Sequence, residues 1–270
     1  MKLAYHTITW GGVVGHPAGV TSVKDLYYLA NGSTEEALRD VSEAGYEGFE
    51  LFDGNLAQYA GREGELRDLA DGLGLRLVAV YSGANFIYLE ILEDELSKIA
   101  SSARLASGLG AEHLVVGGGA VRAAGIREED YRLLGEGLER VVAVADEAGL
   151  VASYHPHLGT CVETPEQLAK VFQHTGIDFC PDTAHLEAGG GDSAELISTY
   201  GDRIRYVHLK DYADGEFLPL GQGGLDFGRI MGALGEIRYD GWITVELDAY
   251  EGSPMEAARI SKKFFDKVTA

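Results

Sequence analysis

Short apolar runs alternate with longer segments of helical period along the whole chain, and this alternation restricts the possible folds more than any other feature. Eight of the runs have the length and composition of buried strands. They are Lys2–Ile8, Tyr46–Phe52, Leu75–Ser82, His113–Gly119, Val151–His157, Ile177–Asp182, Ile204–Asp211 and Trp242–Leu247. Eight strand–helix units in 270 residues match the number and size of a closed barrel. We therefore predict a single-domain (β/α)8 TIM barrel over residues 1–270.

The segments between these runs have the spacing of amphipathic helices. In one of them apolar residues recur every three or four positions, at Leu92, Leu96, Ile99, Ala103 and Ala106. Ser33 and Thr164 are expected to open helices, and Pro165 suits a first helical position. Gly74 and Gly149 follow helical runs, as C-capping glycines do.

Charge and cysteine content narrow the class of partner. The formal net charge is −21, from 43 acidic and 22 basic residues. Such a surface repels phosphate backbones, so a nucleic-acid partner is not expected. Cys161 and Cys180 are too few for a disulfide framework.

No stretch approaches the ~18 apolar residues of a membrane span, and the first residues lack the features of a signal peptide. We therefore expect a cytoplasmic protein that has no membrane partner.

The last four predicted strands are unusually polar, although strands covered on both faces should be apolar nearly throughout. Polar residues recur at every second position, at Ser153, His155 and His157; Asp178, Cys180 and Asp182; His208 and Lys210; and Thr244, Glu246 and Asp248. Period-2 alternation puts each set on one face, and the apolar set must face the helices. The polar sets therefore point into the barrel. Ionisable groups are costly to desolvate there unless they share a cation or line a wet mouth.

Four of these residues fall near the C-terminal ends of consecutive strands, where barrel active sites lie; they are His155, Asp182, His208 and Glu246. Two imidazoles and two carboxylates suit one divalent cation, and we expect Mn²⁺ first, with Co²⁺, Zn²⁺ or Fe²⁺ as alternatives. The competing interpretation is four separate hydrogen-bonded residues at the mouth. Two long loops, Gly11–Gly32 and Tyr212–Gly224, are expected there as lids or binding loops.

Several motifs resemble the xylose isomerase-like TIM barrel superfamily of sugar phosphate isomerases and epimerases. They are Tyr154-His155-Pro156-His157-Leu158-Gly159-Thr160, Asp182-Thr183-Ala184-His185, Val207-His208-Leu209-Lys210-Asp211 and Gly241-Trp242-Ile243-Thr244-Val245-Glu246. The resemblance covers essentially the whole chain and is greatest to the myo-inosose dehydratases of inositol catabolism. It implies metal ligands at Asp182, His208 and Glu246. In related epimerases a glutamate ends the fifth strand as the fourth ligand. His155 takes that place here, with His157 as a competitor.

The resemblance implies a metal-dependent carbohydrate lyase that acts on a keto-polyol or keto-sugar. In that chemistry a base removes an α-proton, the metal stabilises an enediolate, and a β-substituent leaves. Candidates for the base are Glu50, His157 and His185, whose pKa values burial and a metal can tune. The same ligands would serve a ketose or keto-sugar epimerase or isomerase, which is the first alternative. An endonuclease of the same fold is a remote alternative, against which the net charge argues.

Three further residues are candidates for contact with the substrate. Lys210, which is also a candidate catalytic residue, could hold a substrate oxygen or pair with Asp211, and His6 and Trp10 leave the first strand toward the mouth. Trp10 could form an apolar wall for a sugar face or simply pack. The sequence reads Trp10-Gly11-Gly12 where inosose dehydratases have Trp-x-Asn, so we expect different substrate contacts. The expected partner is a small carbohydrate or cyclitol, and homo-oligomers are common in such barrels.

Overall fold

The structure, a computed structural model, describes residues 1–11 and 27–269. Its strands are β1 (Lys2–His6), β2 (Gly48–Phe52), β3 (Arg76–Ala84), β4 (His113–Gly118), β5 (Val151–Tyr154), β6 (Asp178–Phe179), β7 (Val207–Leu209), β8 (Asp211–Ala213), β9 (Glu216–Leu218) and β10 (Trp242–Val245). Eight of them form a parallel sheet in the order β6-β5-β4-β3-β2-β1-β10-β7. Parallel bridges from Phe179 to Ile204 and from Asp182 to His208 join its two ends. The predicted (β/α)8 TIM barrel is confirmed.

The helices that follow the strands begin and end largely where local signals indicate. They are α1 (Thr34–Glu43), α2 (Asp53–Ala57), α3 (Glu63–Leu73), α4 (Leu89–Gly108), α5 (Glu128–Ala148), α6 (Pro165–Val171), α7 (Thr183–Ala188), α8 (Ser193–Thr199), α9 (Phe227–Glu236) and α10 (Pro254–Thr269). Ser33 and Thr164 accept hydrogen bonds from first-turn N–H groups. Gly74 and Gly149 end α3 and α5 in the left-handed conformation. No helix within the described residues combines the length and apolar character that crossing a bilayer requires.

Apolar side chains divide between two layers according to the strand period. Leu3 and Tyr5 of β1 belong to the large buried cluster between the strands and the helices. Ala4, which lies between them, belongs to a smaller cluster inside the barrel that also contains Cys180 and Tyr206. Successive residues of a strand point to opposite faces, so one strand contributes to both layers. The inner cluster fills part of the barrel interior beside the polar residues.

Two predictions about the extent of elements were wrong. The fifth, sixth and seventh barrel strands are shorter than predicted, because their regular pairing ends at Tyr154, Phe179 and Leu209, and Asp182 adds only an isolated bridge. The predicted loop Tyr212–Gly224 is partly regular, since β8 and β9 pair within it as an antiparallel hairpin. Most of the predicted loop Gly11–Gly32 lies outside the described residues, which omit 12–26.

Candidate metal centre and active site

Four side chains from neighbouring strand ends converge at the C-terminal mouth of the barrel, and we call them the four-ligand group. His155 follows β5, Asp182 follows β6, His208 lies in β7, and Glu246 follows β10. Each offers one nitrogen or oxygen atom, and these atoms all lie within 4.8 Å of one another. All four residues are buried. The structure therefore brings together the four residues that the strand alternation singled out.

The nitrogen and oxygen atoms of this group suit a divalent cation because most of them have no hydrogen-bond partner. Among the described residues, both ring nitrogens of His155, Asp182 Oδ2 and His208 Nδ1 have no hydrogen-bond partner. Buried polar atoms are otherwise nearly always hydrogen-bonded. His208 Nδ1 lies 2.7 Å from Glu246 Oε2, and His155 Nε2 lies 3.6 Å from Asp182 Oδ2, in both cases without hydrogen-bond geometry. Donor atoms that converge in this way can share one cation.

Asp182 serves the backbone and the site at the same time. Its Oδ1 accepts a hydrogen bond of 2.9 Å from the backbone N–H of His185, which caps the N-terminus of α7. Its Oδ2 is left for the four-ligand group. Although burial opposes ionisation, the ammonium of Lys210 holds the pKa of Asp182 below its usual range. The cap also places the imidazole of His185 in the first turn of α7, beside the site.

A second group of buried ionisable residues adjoins the first and consists of His157, His185 and Asp248. One donor atom of each lies within 4.8 Å of the others. The centroids of the two imidazole rings lie 3.7 Å apart, and the ring planes are tilted by 39° to each other. His157 Nδ1 lies 2.6 Å from the carbonyl oxygen of Leu158, so Nδ1 carries the proton and Nε2 the lone pair. Burial lowers the pKa of His157 to about 4 and that of His185 well below its ordinary value, so both rings are neutral at pH 7.

Asp248 is a site residue that sequence reasoning did not select. The signal was available, because Asp248 continues the inward alternation of Thr244 and Glu246. Its Oδ1 is buried and has no hydrogen-bond partner within the described part of the chain. Burial raises the pKa of the carboxyl to about 6, with Lys210 opposing that shift and Glu246 adding to it.

Lys210 connects the two groups and is fully buried. Its Nζ donates hydrogen bonds to Glu246 Oε1 at 2.7 Å and to Asp248 Oδ2 at 2.9 Å. The same atom lies 3.4 Å from Asp182 Oδ2 and 3.2 Å from His185 Nε2. Although burial opposes charge, these carboxylates raise the pKa of Lys210 above its usual range. The ammonium is therefore a permanent positive charge between the two groups.

Asp211, considered from the sequence as a partner of Lys210, instead organises the loop after β7. Its carboxylate accepts four backbone N–H hydrogen bonds, from Tyr212, Gly221, Gly223 and Leu225. This loop contains the β8–β9 hairpin and Phe217. The ring of Phe217 lies 4.7 Å from that of His185 and 4.8 Å from Lys210 Nζ. The hairpin thus brings an aromatic ring against the second group.

Glu50 lies behind His208 rather than free in the mouth. Its Oε2 accepts a hydrogen bond of 2.8 Å from the hydroxyl of Tyr206 and lies 2.9 Å from His208 Nε2. Burial opposes ionisation of Glu50, but His208 keeps its pKa below the usual value. Burial also opposes the charge of His208, yet Glu50 and Glu246 raise the pKa of His208 to about 10. This geometry favours a positioning role for Glu50 over the expected role as base.

His6 and Trp10, the two candidate substrate contacts from the first strand, differ in their surroundings. His6 Nε2 lies 3.8 Å from Glu50 Oε1, which puts His6 at the edge of the site. Trp10 packs edge-on against Tyr5 and donates from its indole nitrogen to Asp40 Oδ2 at 2.8 Å. Because Asp40 belongs to α1, the indole is fixed between barrel and helix. The geometry of Trp10 therefore favours packing over the expected contact with substrate.

Comparisons with known proteins agree with this architecture. A model of the xylose isomerase-like TIM barrel family matches residues 38–268. The chain is 28% identical to an inosose dehydratase of Geobacillus kaustophilus strain HTA426, over 87% of this chain and 87% of that protein. The IolI protein, solved with a zinc atom, superposes with a TM-score of 0.76 at 19% identity, over 99% of this chain and 98% of IolI. The 3-keto-D-glucoside 4-epimerase YcjR from E. coli superposes with a TM-score of 0.73 at 17% identity, over 100% of this chain and 99% of the epimerase. At these identities the two structural similarities show the fold alone.

Proposed function

The chain belongs to the xylose isomerase-like TIM barrel family and is an enzyme, and from this premise we propose that it is a divalent-metal-dependent carbohydrate lyase. The proposed reaction removes water, or a larger β-substituent, from a keto-polyol or keto-sugar in the cytoplasm. The similarity to an inosose dehydratase supports this class of substrate. One structural observation carries the proposal: two neutral imidazoles, with an ammonium beside them, adjoin a buried set of four ligand atoms.

We propose that the four-ligand group holds the metal, with Mn²⁺ as the first expectation. A divalent cation bound there would supply a Lewis acid that lowers the energy of an oxyanion formed next to a removed α-proton. The presence of a zinc atom in the IolI protein, which has the same fold, supports a divalent metal in this chain. His155 is the proposed fourth ligand in preference to His157, because both of its ring nitrogens are buried without partners among the described residues.

His157 is the proposed base. Its Nδ1 proton is held by the carbonyl oxygen of Leu158, so Nε2 is the nitrogen that can accept a proton from carbon. His185 is less suited to this step, because its Nε2 lies 3.2 Å from the ammonium of Lys210. A donor at that distance competes for the lone pair that a base would use. We assign His185 to binding and orienting the substrate.

Asp248 is the proposed acid that protonates the leaving group. With a pKa of about 6 it is partly protonated near neutral pH, and its free Oδ1 can carry the proton. The proton balance of dehydration is then complete: His157 takes the α-proton, and Asp248 gives a proton to the departing hydroxyl, which leaves as water. Lys210 keeps its own protons, and its three N–H groups, directed at Glu246, Asp248 and His185, hold these side chains in position around the substrate.

Epimerisation of a keto-sugar is the second candidate function, and the fold similarity to a 3-keto-D-glucoside 4-epimerase is consistent with it. A two-base epimerase needs acid–base groups on opposite faces of the reacting carbon. His157 and His185 instead lie together, with ring centroids 3.7 Å apart. We therefore favour elimination, in which one group of neighbouring residues can both remove and return protons.

A substrate panel in D2O tests the proposal. The protein loaded with Mn²⁺ is incubated with inososes, ketoses and 3-keto-glycosides, and the products are followed by NMR. Release of water or aglycone is the expected result. Deuterium exchange at carbon without release would replace the lyase with an epimerase or isomerase, and inert substrates in the presence of bound metal would contradict both.

Matched variants connect the reaction to its proposed base. His157→Gln is expected to lower kcat by about 100-fold or more while metal content stays unchanged. His174→Gln, which alters an exposed histidine, is the control and should have the activity of the unmodified chain. Full activity in His157→Gln would remove His157 from the mechanism.

A further inference from the structure

We infer that the ammonium group of Lys210 occupies a second divalent-cation site, whose ligands are His157, His185, Asp248 and one oxygen of Glu246. This inference deepens the proposed metal centre. It concerns the number of ions that the mouth can hold, and that number can be measured whatever reaction the enzyme catalyses.

Glu246 is the residue that links the two positions. Its Oε2 lies 2.7 Å from His208 Nδ1, within the four-ligand group, and its Oε1 lies 2.7 Å from Lys210 Nζ. Each carboxylate oxygen thus faces a different centre. A carboxylate in this orientation can bridge two cations a few ångströms apart, as in two-metal sites.

Two of the remaining ligands contact the ammonium directly, and the third lies next to them. Asp248 Oδ2 and His185 Nε2 lie 2.9 Å and 3.2 Å from Lys210 Nζ. His157 offers a further nitrogen within 4.8 Å of donor atoms of both residues. Imidazole nitrogens and carboxylate oxygens are the ligands that Zn²⁺, Mn²⁺ and Co²⁺ prefer. Asp248 Oδ1 is buried and has no partner in the described residues, so the group keeps unused donor capacity.

Charge explains why a cation is needed at this position. Asp182, Glu246 and Asp248 all lie within 3.4 Å of Lys210 Nζ and are buried with it. Buried carboxylates are costly unless paired, and one divalent ion in the four-ligand group leaves Asp248 without a direct cation. The lysine supplies that charge from within the chain. Removing its charge while keeping its volume should therefore create a site that an added ion can fill.

The test is the stoichiometry of zinc in Lys210→Met, in which a side chain of similar length carries no charge. After equilibrium dialysis against Zn²⁺, metal per chain is measured by mass spectrometry. We expect one more ion per chain than in the unmodified protein, and no gain in the double variant Lys210→Met/Asp248→Asn. Loading with Mn²⁺ should give the exchange-coupled paramagnetic resonance spectrum of two neighbouring ions.

Lys98→Met is the matched control because Lys98 is another buried lysine bound to a carboxylate. Its Nζ donates to Asp53 Oδ2 at 2.9 Å, and Ser82 donates to the same oxygen at 2.6 Å, but the second group is not involved. No extra ion is expected there. If Lys210→Met is poorly folded, Lys210→Gln replaces it, and zinc should raise the Tm of that variant more than the Tm of the unmodified chain.

The outcomes separate this inference from the proposed function. An unchanged zinc count in the folded Lys210 variants, a gain that survives Asp248→Asn, or a second ion in the unmodified chain would each overturn it. Absence of elimination by the metal-loaded enzyme would instead overturn the lyase proposal and leave the ion count unaffected.

Discussion

His208 Nε2 lies 2.9 Å from Glu50 Oε2 inside the barrel, although 158 residues separate them along the chain. The hydroxyl of Tyr206 donates to the same carboxylate oxygen at 2.8 Å. These contacts hold a proton on His208 Nε2 and leave Nδ1 directed at Glu246, so Nδ1 is the nitrogen that loses its proton when a metal binds. A carboxylate that is hydrogen-bonded to a metal-ligating histidine fixes the orientation of the ring and makes its other nitrogen a stronger metal ligand.

Glu50→Gln is expected to weaken metal binding by about 10- to 100-fold, because an amide holds the imidazole less strongly than a carboxylate does. Titration calorimetry with Mn²⁺ measures the change. Glu47→Gln, on the same segment but exposed, is the control and should bind with unchanged affinity. Equal affinities in the two variants would show that Glu50 does not support the metal centre.

Asp182→Asn is expected to abolish tight metal binding while α7 remains capped. Asparagine accepts the same N-cap hydrogen bond as aspartate, but its neutral oxygen is a poorer metal ligand. Asp192→Asn makes the same change at the N-cap of α8, outside the site, and should keep full metal content. Metal analysis after dialysis distinguishes the two, and retention of metal by Asp182→Asn would exclude it as a ligand.

Metal binding at pH 8 is expected to release about one proton from His208. Before metal is added, the pKa of His208 is about 10, so the ring is charged and must become neutral to donate from Nδ1. The apparent affinity should therefore rise as pH rises toward 10. Calorimetry in two buffers of different ionisation enthalpy counts the protons. A binding heat that does not depend on the buffer would contradict the assignment of His208.

His113, at the start of β4, is expected to make stability depend on pH. Burial lowers the pKa of His113 from 6.5 to about 4 in the folded chain. The neutral ring therefore favours the folded state fully above pH 6.5, and this stabilisation is lost as pH falls toward 4. Between pH 7 and pH 5 the free energy of unfolding should fall by about 2 kcal/mol. Urea unfolding at both pH values should show a smaller loss in His113→Leu. The exposed-site control His174→Leu should behave like the unmodified chain.

Asp211→Asn is expected to destabilise the chain by about 2–4 kcal/mol, because an amide cannot replace a buried carboxylate that accepts four backbone N–H groups. The loop that carries Phe217 should loosen as well, which hydrogen exchange of its amides would detect. Asp214→Asn, at the exposed turn of the same hairpin, is the control. Equal stability of both variants would mean that Asp211 does not hold the loop.

The barrel and the inward direction of the polar residues followed from periodicity. Strand alternation needs only the two-residue period, and helix boundaries at Ser33, Thr164 and Gly149 need only local hydrogen-bonding rules. The ends of strands were harder to predict from the sequence, because a residue such as Asp182 can either extend a strand or cap a helix. In the structure it caps α7, and the sixth strand ends early.

Period alone could not distinguish residues that share an inward face. His155 and His157 follow β5 two residues apart and are therefore predicted on the same inward face. The structure nevertheless puts His155 in the four-ligand group and His157 beside His185. Nor could it find a pair such as Glu50 and His208, since β2 and β7 are not neighbours in the sheet. The alternation of a strand tells which face a side chain is on, but not how deep in the barrel it lies or how far it is from side chains across the barrel.

The sequence by itself therefore determined the alternating elements, the class of fold and the set of side chains that face inward, because all of these are local or repeating properties of the chain. Only the tertiary structure decided which of those side chains share a centre, where Lys210 places its charge, and that Trp10 packs against α1. Closing the barrel sets the distances between residues far apart in the chain, and electrostatic and ligand interactions depend on those distances.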